Sequence, residues 1–167
     1  MMHDIVPLTD TMKGDAMLLH LGADRWSSFA TNAPLAWASV PWRKSQKAEV
    51  PAQRGIYAFT VEFANPLLPR HGYILYVGIT GDKASARTLR DRFASYFTRK
   101  EMEVGRTRVG YMLNKWEGHL SFQYAEVRDH RFNLHKLEKQ LCDSIVPFAS
   151  RNDLSAKIRK AKEAAGL

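Results

Sequence analysis

Glu138 is an acidic residue in the middle of an otherwise apolar helical face. Residues 133–146 have the period of an amphipathic helix, and at that period Glu138 falls between Leu134 and Leu141. A carboxylate within an apolar stripe is costly unless something compensates its charge. A buried arginine or lysine would make the residue structural, whereas a bound divalent cation would make it functional. The pattern alone leaves these two interpretations even.

Arg92 and Tyr96 are one helical turn apart on the helix predicted over residues 88–100. Residues at this spacing are neighbours on a helix surface, and Arg90 lies on the other edge of the same apolar face. The simplest interpretation is that both arginines are rim charges whose stems cover apolar surface. Taken by itself, the spacing favours that structural role.

His135 precedes Glu138 by one helical turn, a spacing that would suit a shared metal ion. It lies at the margin of the apolar face, however, so a solvated histidine is the better interpretation. Cys142 falls on the apolar face and is predicted to be a small buried hydrophobic residue. A single cysteine excludes an intrachain disulfide and a cysteine-based zinc site.

The elements that must position these residues follow from hydrophobic patterning. We predict strands over residues 55–63, 73–80 and 120–127, with the first two joined as a hairpin through a loop at 65–72. We predict helices over residues 12–21, 88–100, 133–146 and 153–164, a loop at 81–86, and an ambiguous segment at 104–116 that favours a short helix. This order predicts an α+β domain with a small, mostly antiparallel three-stranded sheet flanked by helices.

Residues 1–50 are predicted to form an N-terminal arm that packs on a domain spanning residues 51–167. The arm is irregular in pattern and contains Trp26, Trp37 and Trp42. Covering the core of the domain is the favoured role for these aromatic residues. Stacking of one tryptophan on a nucleic-acid base is the alternative.

The composition is that of a globular protein, with 45% hydrophobic and 25% charged residues. The net charge of +8 favours a polyanionic partner such as nucleic acid. No secretory signal is visible, and the longest apolar run, residues 73–79, is too short to span a bilayer. We therefore expect an intracellular, cytoplasmic protein that does not bind a membrane.

Two tripeptides on neighbouring predicted strands resemble the halves of the GIY-YIG nuclease motif. They are residues 55–57, Gly-Ile-Tyr, and residues 76–78, Tyr-Val-Gly. The stretch from Arg92 to Phe97 resembles the arginine-containing helix of bacterial excision-repair nucleases, which place a tyrosine four residues after the arginine.

The resemblance extends further along the chain, to about residue 152. Glu138, Pro147 and Asn152 occur in the same order as a glutamate, a proline and an asparagine of the family, which also includes homing endonucleases. A lone Gly-Ile-Tyr would be worth little, but an ordered set on the right kinds of predicted element is specific. The loops after both halves of the motif are longer than usual in the family, and we prefer Arg92 to Arg90 as the catalytic arginine because the residues after it match better.

The resemblance implies a metal-dependent endonuclease that hydrolyses phosphodiester bonds in nucleic acid, with DNA the favoured substrate. It implies one divalent cation, Mg²⁺ or Mn²⁺, held by Glu138 and by phosphate oxygens. Arg92 would contact the scissile phosphate, Tyr57 would be the general base, and Tyr76 and Tyr96 would orient water or phosphate. A phenol is a weak acid, so Tyr57 needs a cation beside it to act as a base.

Other residues are expected to support this chemistry. Gly55 and Gly78 are interpreted as positions where the backbone must come close to a neighbour or to substrate, and Asn152 as a structural support. The candidates for binding nucleic acid are Arg90, Lys157, Arg159 and Lys160. The alternative function is an inactive scaffold that binds nucleic acid or protein, which is disfavoured because each catalytic role has a candidate residue.

Overall fold

The computed structural model describes residues 5–63, 66–69, 71–82, 85–98, 107–150 and 152–167. Parts of four predicted segments lie outside these ranges. They are the loops at 65–72 and 81–86, the helix at 88–100 and the ambiguous segment at 104–116.

The centre of the fold is a four-stranded antiparallel sheet with the order β1-β4-β2-β3. Its strands are β1 (Ala38–Pro41), β2 (Gly55–Phe63), β3 (His71–Thr80) and β4 (Leu120–Glu126). The predicted α+β class and the β2–β3 hairpin are confirmed. The predicted count of three strands is wrong, because the segment before residue 51 supplies a fourth.

The additional strand, β1, gave little signal in the sequence. It has four residues, only Val40 is buried, and it ends at Pro41. A proline has no N–H to donate and is confined to sheet edges, so a run this short that ends in proline does not predict a strand. Beyond it, the backbone N–H of Trp42 donates to the carbonyl oxygen of Leu120 at 2.8 Å. Part of the predicted arm is therefore built into the sheet.

Six helices and one 3-10 helix surround the sheet within the described part of the chain. They are α1 (Ile5–Asp15), α2 (Ala23–Ser27), α3 (Leu89–Ser95), α4 (Thr107–Lys115), α5 (Leu134–Ile145) and α6 (Ala156–Ala164), with the 3-10 helix at Lys44–Glu49. Of the predicted helices, the one at 12–21 is largely wrong, because α1 lies closer to the N-terminus and residues 16–21 are not helical. No helix in the described ranges is long and apolar enough to cross a membrane.

The sheet is covered on both faces, which creates two apolar cores. Tyr57, Phe59 and Phe122 point to one face, towards α3 and α4. Ile56 and Ala125 point to the other, towards α5 and α6. Side chains of the inner strand β2 therefore alternate between the two cores, and the functional candidates come from β2, β3, α3 and α5.

Candidate active site

Arg92, Tyr57 and Tyr96 form a hydrogen-bonded cluster, which we call the Arg–Tyr cluster. Arg92 Nε donates to Tyr57 Oη at 3.0 Å, and Arg92 Nη2 donates to Tyr96 Oη at 3.0 Å. The two phenol oxygens are hydrogen-bonded to each other at 2.8 Å. The Arg92 guanidinium also lies 4.5 Å from the centre of the Tyr96 ring, in a cation–π contact. The neighbours predicted on one helix thus share a third partner on β2.

Capping of α3 fixes where Arg92 points. Thr88 and Asp91 form a capping box, in which each side chain accepts a hydrogen bond from the other residue's backbone N–H. The backbone N–H of Leu89 donates to the carbonyl oxygen of Gln53 at 2.8 Å. Because the first turn of α3 is bonded to the segment that leads into β2, Arg92 is held at a fixed distance from Tyr57.

The phenol rings of the cluster are held in place by the core. Tyr57 stacks on Phe122 with 5.1 Å between ring centres, and Tyr96 meets Phe59 edge-on at 4.9 Å. Burial raises the pKa of Tyr96 well above its ordinary value of 10.0, and the positive charge of Arg92 opposes this rise only in part. Tyr96 therefore keeps its proton at neutral pH and can donate it in a hydrogen bond.

Both glycines of the two tripeptides lie at close backbone approaches. A Cβ atom on Gly78 would lie 2.6 Å from Tyr57 Cζ and would overlap the phenol oxygen. A Cβ atom on Gly55 would overlap the carbonyl oxygen of Ala125 on β4. Gly78 thus makes room for the phenol of the Arg–Tyr cluster, while Gly55 allows strand pairing next to it.

Glu138 projects from α5 and is 8% exposed. The helix begins after Asn133, whose side chain accepts a hydrogen bond from the backbone N–H of Lys136 at 3.0 Å. His135 Nδ1 lies 3.7 Å from Glu138 Oε2, and His135 Nε2 lies 2.6 Å from Asp82 Oδ2. His135 is exposed, as its place on the helix predicts, yet it also links two carboxylates.

One open cavity of about 330 Å³ collects these groups. Tyr57 and Tyr76 reach it from the sheet, Arg92 reaches it from α3, and Glu138 reaches it from α5. The rest of its wall comes from Ile79, Thr80, Gly81, Asp82, Ser85, Arg87, His135 and Asp153. Tyr96 lies behind this wall and acts on it through its hydrogen bonds to Arg92 and Tyr57. A cation, phenols and carboxylates thus surround a space that is open to solvent.

The carboxylates on the cavity suit a hard divalent cation. Glu138, Asp82 and Asp153 all line it, and Mg²⁺ and Mn²⁺ prefer oxygen ligands of this kind. Such ions are commonly bound through one or two carboxylates, with water or phosphate oxygens completing the shell. In the part of the chain that the structure describes, no group of three or more His, Cys, Asp or Glu residues is arranged to hold a metal. In chemical type, these carboxylates fit the divalent cation that the resemblance implies.

Arg90, the other candidate arginine, does not face the cavity. Its Nε donates to the carbonyl oxygen of Val50 at 2.8 Å, and its Nη2 donates to that of Ala48 at 3.3 Å. These bonds tie α3 to the segment before β2. Of the two arginines, the structure brings Arg92 and not Arg90 into contact with Tyr57.

The remaining predicted residues lie after α5. Asn152 is exposed, whereas its neighbour Asp153 lines the cavity. On α6, Lys157 and Lys160 are exposed and Arg159 is partly buried. The described wall of the cavity contains none of these four predicted residues.

Lys162 on the same helix is not part of a basic surface. It is 7% exposed, and its Nζ donates to the carbonyl oxygens of Pro147 at 2.8 Å and of Phe148 and Ser150 at 3.4 Å each. Burial lowers the pKa of Lys162 to about 8, and the charge of Arg108 adds to this effect. This lysine stabilises the turn after α5 instead of facing solvent.

Several cavity residues could not be found by sequence reasoning. Asp82, Ser85 and Arg87 lie in a loop without hydrophobic periodicity, so nothing marks them out. Asp153 lies next to the predicted Asn152, and only the turn geometry decides which of the two faces the cavity. The spacing of His135 and Glu138 would suit a shared metal, but the sequence favoured a solvated histidine and did not predict its contact with Asp82.

A comparison with profiles of known protein families, with curated proteins and with solved structures found no match. A function for the cavity is therefore inferred from its own residues and from the motif that they resemble.

Proposed function

We propose that this chain is a GIY-YIG-type endonuclease that acts inside the cell, hydrolysing phosphodiester bonds in nucleic acid, with DNA the favoured substrate. The observation that carries the proposal is the convergence of Arg92, Tyr57 and Glu138 on one cavity from three different elements. Phosphodiester hydrolysis requires a base for the attacking water and positive charge around the phosphate. These three side chains offer a phenol, a guanidinium and a carboxylate that can hold a cation.

Arg92 is suited to bind the scissile phosphate. A guanidinium is planar, remains charged and matches two phosphate oxygens at once. Its hydrogen bonds to the two phenols restrict its rotation, so little conformational freedom is lost when phosphate binds. The same guanidinium places positive charge 3.0 Å from Tyr57 Oη, where a phenolate would form.

Tyr57 is suited to take the proton from the attacking water. Because Tyr96 keeps its proton, it is the donor in the 2.8 Å bond to Tyr57 Oη once Tyr57 acts as a base. Tyr57 Oη thus accepts hydrogen bonds from Tyr96 and Arg92, and both stabilise its negative charge. When water attacks phosphorus, its proton moves to Oη of the ionised Tyr57, which becomes a neutral phenol; the bond from phosphorus to the leaving oxygen breaks, and the leaving oxygen takes a proton from solvent.

Glu138 is the residue that would hold a divalent cation, and Asp82 and Asp153 face the same space. Mg²⁺ or Mn²⁺, when bound, supplies positive charge for the phosphate and for the leaving oxygen. His135, which links Glu138 to Asp82, restricts where the Glu138 carboxylate can point. Tyr76 also lines the cavity and would orient water or phosphate.

The decisive experiment measures nicking and linearisation of supercoiled plasmid with Mg²⁺, with Mn²⁺ and with EDTA. We expect the wild type to cut only with metal, and Glu138→Gln and Arg92→Gln each to lower the rate by a factor of about 100 or more. The matched controls are Lys139→Gln and Arg131→Gln, which change exposed residues outside the cavity wall. Circular dichroism and thermal unfolding establish that each variant is folded.

The contrary result is equally clear. If the wild type binds plasmid, branched DNA and RNA but cuts none of them with either metal, the nuclease proposal is wrong. The chain would then be a scaffold that binds nucleic acid, and Glu138 would be a buried charge held by its protein neighbours.

A further inference from the structure

A second cavity of about 500 Å³ continues from the first one. The two share Gly81, Asp82, Ser85 and Arg87 in their walls, so they form one continuous surface. Beyond these shared residues, the second cavity is lined by Ala52, Gln53, Arg54, Ala86, Thr88, Arg128 and His130. We call this second cavity the basic groove, because its described wall holds three arginines and one carboxylate.

Arg54 fixes the two walls of the basic groove relative to each other. Its Nε donates to the carbonyl oxygen of Gly81 at 2.9 Å, on the wall that follows β3. Its Nη1 donates to the carbonyl oxygens of Val127 and Asp129 at 3.1 and 2.7 Å, and its Nη2 donates to that of Phe132 at 3.2 Å, all on the wall between β4 and α5. A groove held this way has a defined width before any ligand binds.

Gly81 makes this link sterically feasible. Its φ is +76°, a left-handed conformation that favours glycine, and a Cβ atom there would collide with the stem of Arg54. The backbone can thus lie directly against Arg54 at the point where the two cavities join.

The described wall of the basic groove carries more positive than negative charge. Carbonyl oxygens accept hydrogen bonds from Arg54 without neutralising it, so its unit charge persists beneath the groove. Arg87 is exposed at the junction with the active-site cavity. Arg128 lies further along, 71% exposed, and its Nε bonds to Glu126 at 2.6 Å, a surface pair of small energetic value. The one carboxylate of the described wall, Asp82, has its Oδ2 2.6 Å from His135 Nε2.

We infer that the substrate strand leaves the active-site cavity along the basic groove, with the phosphate next to the scissile one against Arg87 and the following phosphate against Arg128. The inference rests on the proposed function and adds a direction to it. If the strand is held on one side of the scissile bond, the phosphates on that side contribute more to binding than those on the other side. Contacts of this kind fix the register of the strand without reading its bases.

The test is the salt dependence of binding, measured by fluorescence anisotropy on short labelled DNA and RNA in EDTA. Each neutralised phosphate contributes about −0.9 to the slope of log K against log salt on duplex DNA. The variant Arg87→Gln/Arg128→Gln is expected to bind about tenfold more weakly and to lower the steepness of this slope by about two. Arg87→Lys/Arg128→Lys, which keeps both charges, should restore most of the slope.

The matched control is Lys13→Gln/Lys139→Gln, which removes the same net charge from exposed residues outside the basic groove. We expect this control to alter the slope by much less than the groove variant. If both variants change the slope equally, only the overall charge matters and the inference of a groove is wrong.

A set of substrates, each with one uncharged methylphosphonate linkage, shows on which side of the scissile bond the strand is held. We expect neutral linkages on one side of the scissile bond to weaken binding by the wild type and to have little effect on the groove variant. Equal sensitivity on both sides, unchanged in the variant, would overturn the inference.

Plasmid cutting separates this inference from the proposed function. If the wild type cuts plasmid but the groove variant binds with the same salt dependence as the wild type, only the inference of a groove is wrong. A wild type that never cuts, but whose slope falls in the groove variant, would refute the nuclease proposal alone. A wild type that binds no nucleic acid would refute both.

Discussion

The phenol oxygen of Tyr57 occupies the space above Gly78 where any other residue would place its Cβ atom. The two residues are directly paired across β2 and β3. Gly78, which ends the second tripeptide, must therefore be a glycine because of the position of Tyr57, which ends the first. Because Tyr57 is bonded to both Arg92 and Tyr96, whatever moves the phenol disturbs the whole Arg–Tyr cluster.

Gly78→Ala is expected to displace Tyr57 from the cluster. Overpacking of this kind costs about 1–3 kcal/mol in the free energy of unfolding. A displacement of about 1 Å at a catalytic group lowers the rate by a factor of about 100. Urea unfolding and plasmid cutting measure the two effects. The control is Gly14→Ala, where a Cβ atom meets nothing within 4 Å, and an unchanged cutting rate in Gly78→Ala would contradict the assignment of Tyr57.

We expect substitution of Arg90 to affect mainly stability and substitution of Arg92 to affect mainly catalysis. Arg90→Gln removes hydrogen bonds to Val50 and Ala48, so the free energy of unfolding should fall by about 1–3 kcal/mol while cutting stays within a few-fold of wild type. Arg92→Gln should lower cutting by a factor of about 100 or more. The pair is measured by chemical unfolding and by plasmid cutting under the same conditions. Loss of cutting in a fully folded Arg90→Gln, together with normal cutting by Arg92→Gln, would reverse the two assignments.

The lowered pKa of Lys162 is expected to make the free energy of unfolding increase with pH. Its pKa is lowered to about 8 in the folded protein, from 10.5 in the unfolded chain. Between these two values the unfolded chain binds a proton that the folded protein has lost, so the free energy of unfolding increases as pH rises from about 8 towards 10.5. Lys162→Met should remove this contribution, and Lys160→Met, an exposed change on the same helix, should leave it in place. Urea unfolding at a series of pH values tests this, and identical slopes in wild type and Lys162→Met would refute it.

Trp42 is expected to be the tryptophan of the N-terminal segment on which the core depends. It is 5% exposed, stacks on Phe97 with ring centres 4.7 Å apart, and meets Phe59 edge-on at 5.9 Å. Trp42→Ala should lower the free energy of unfolding by about 3–5 kcal/mol. Trp37, which is 41% exposed, should cost less than about 1 kcal/mol when it is changed to alanine. Equal losses in the two variants would mean that the segment packs differently.

The sequence predicts the buried elements better than the edges. β2 has the predicted bounds, because its run of β-branched and aromatic residues is covered on both faces and admits one interpretation. β1 escaped prediction because its pairing with β4 depends on a partner far away in the chain, and not on its own pattern. The position of α1 was also missed, and none of its residues is buried to impose a period.

The same distinction holds for the candidate site. Glu138 is predictable because a carboxylate on an apolar face violates a local rule, and the Arg92–Tyr96 contact follows from helical spacing. The contact of both residues with Tyr57 needs the sheet and α3 to be placed in space, although the resemblance to a known motif groups the three. Arg54 gives no signal, because its partners are main-chain carbonyls that have no side-chain identity to detect.

The position of β1 at the sheet edge has a consequence for how the chain folds as it is synthesised. Within the described sheet β1 pairs only with β4, and Trp42 packs against Phe59 and Phe97, so these partners of β1 and Trp42 are all translated after them. This segment is therefore synthesised before its partners, and Trp42 stays unburied until most of the sheet has been made. Exposed aromatic surface promotes association between nascent chains. We therefore expect chaperones to bind the segment that contains β1 and Trp42 while it is still unpaired.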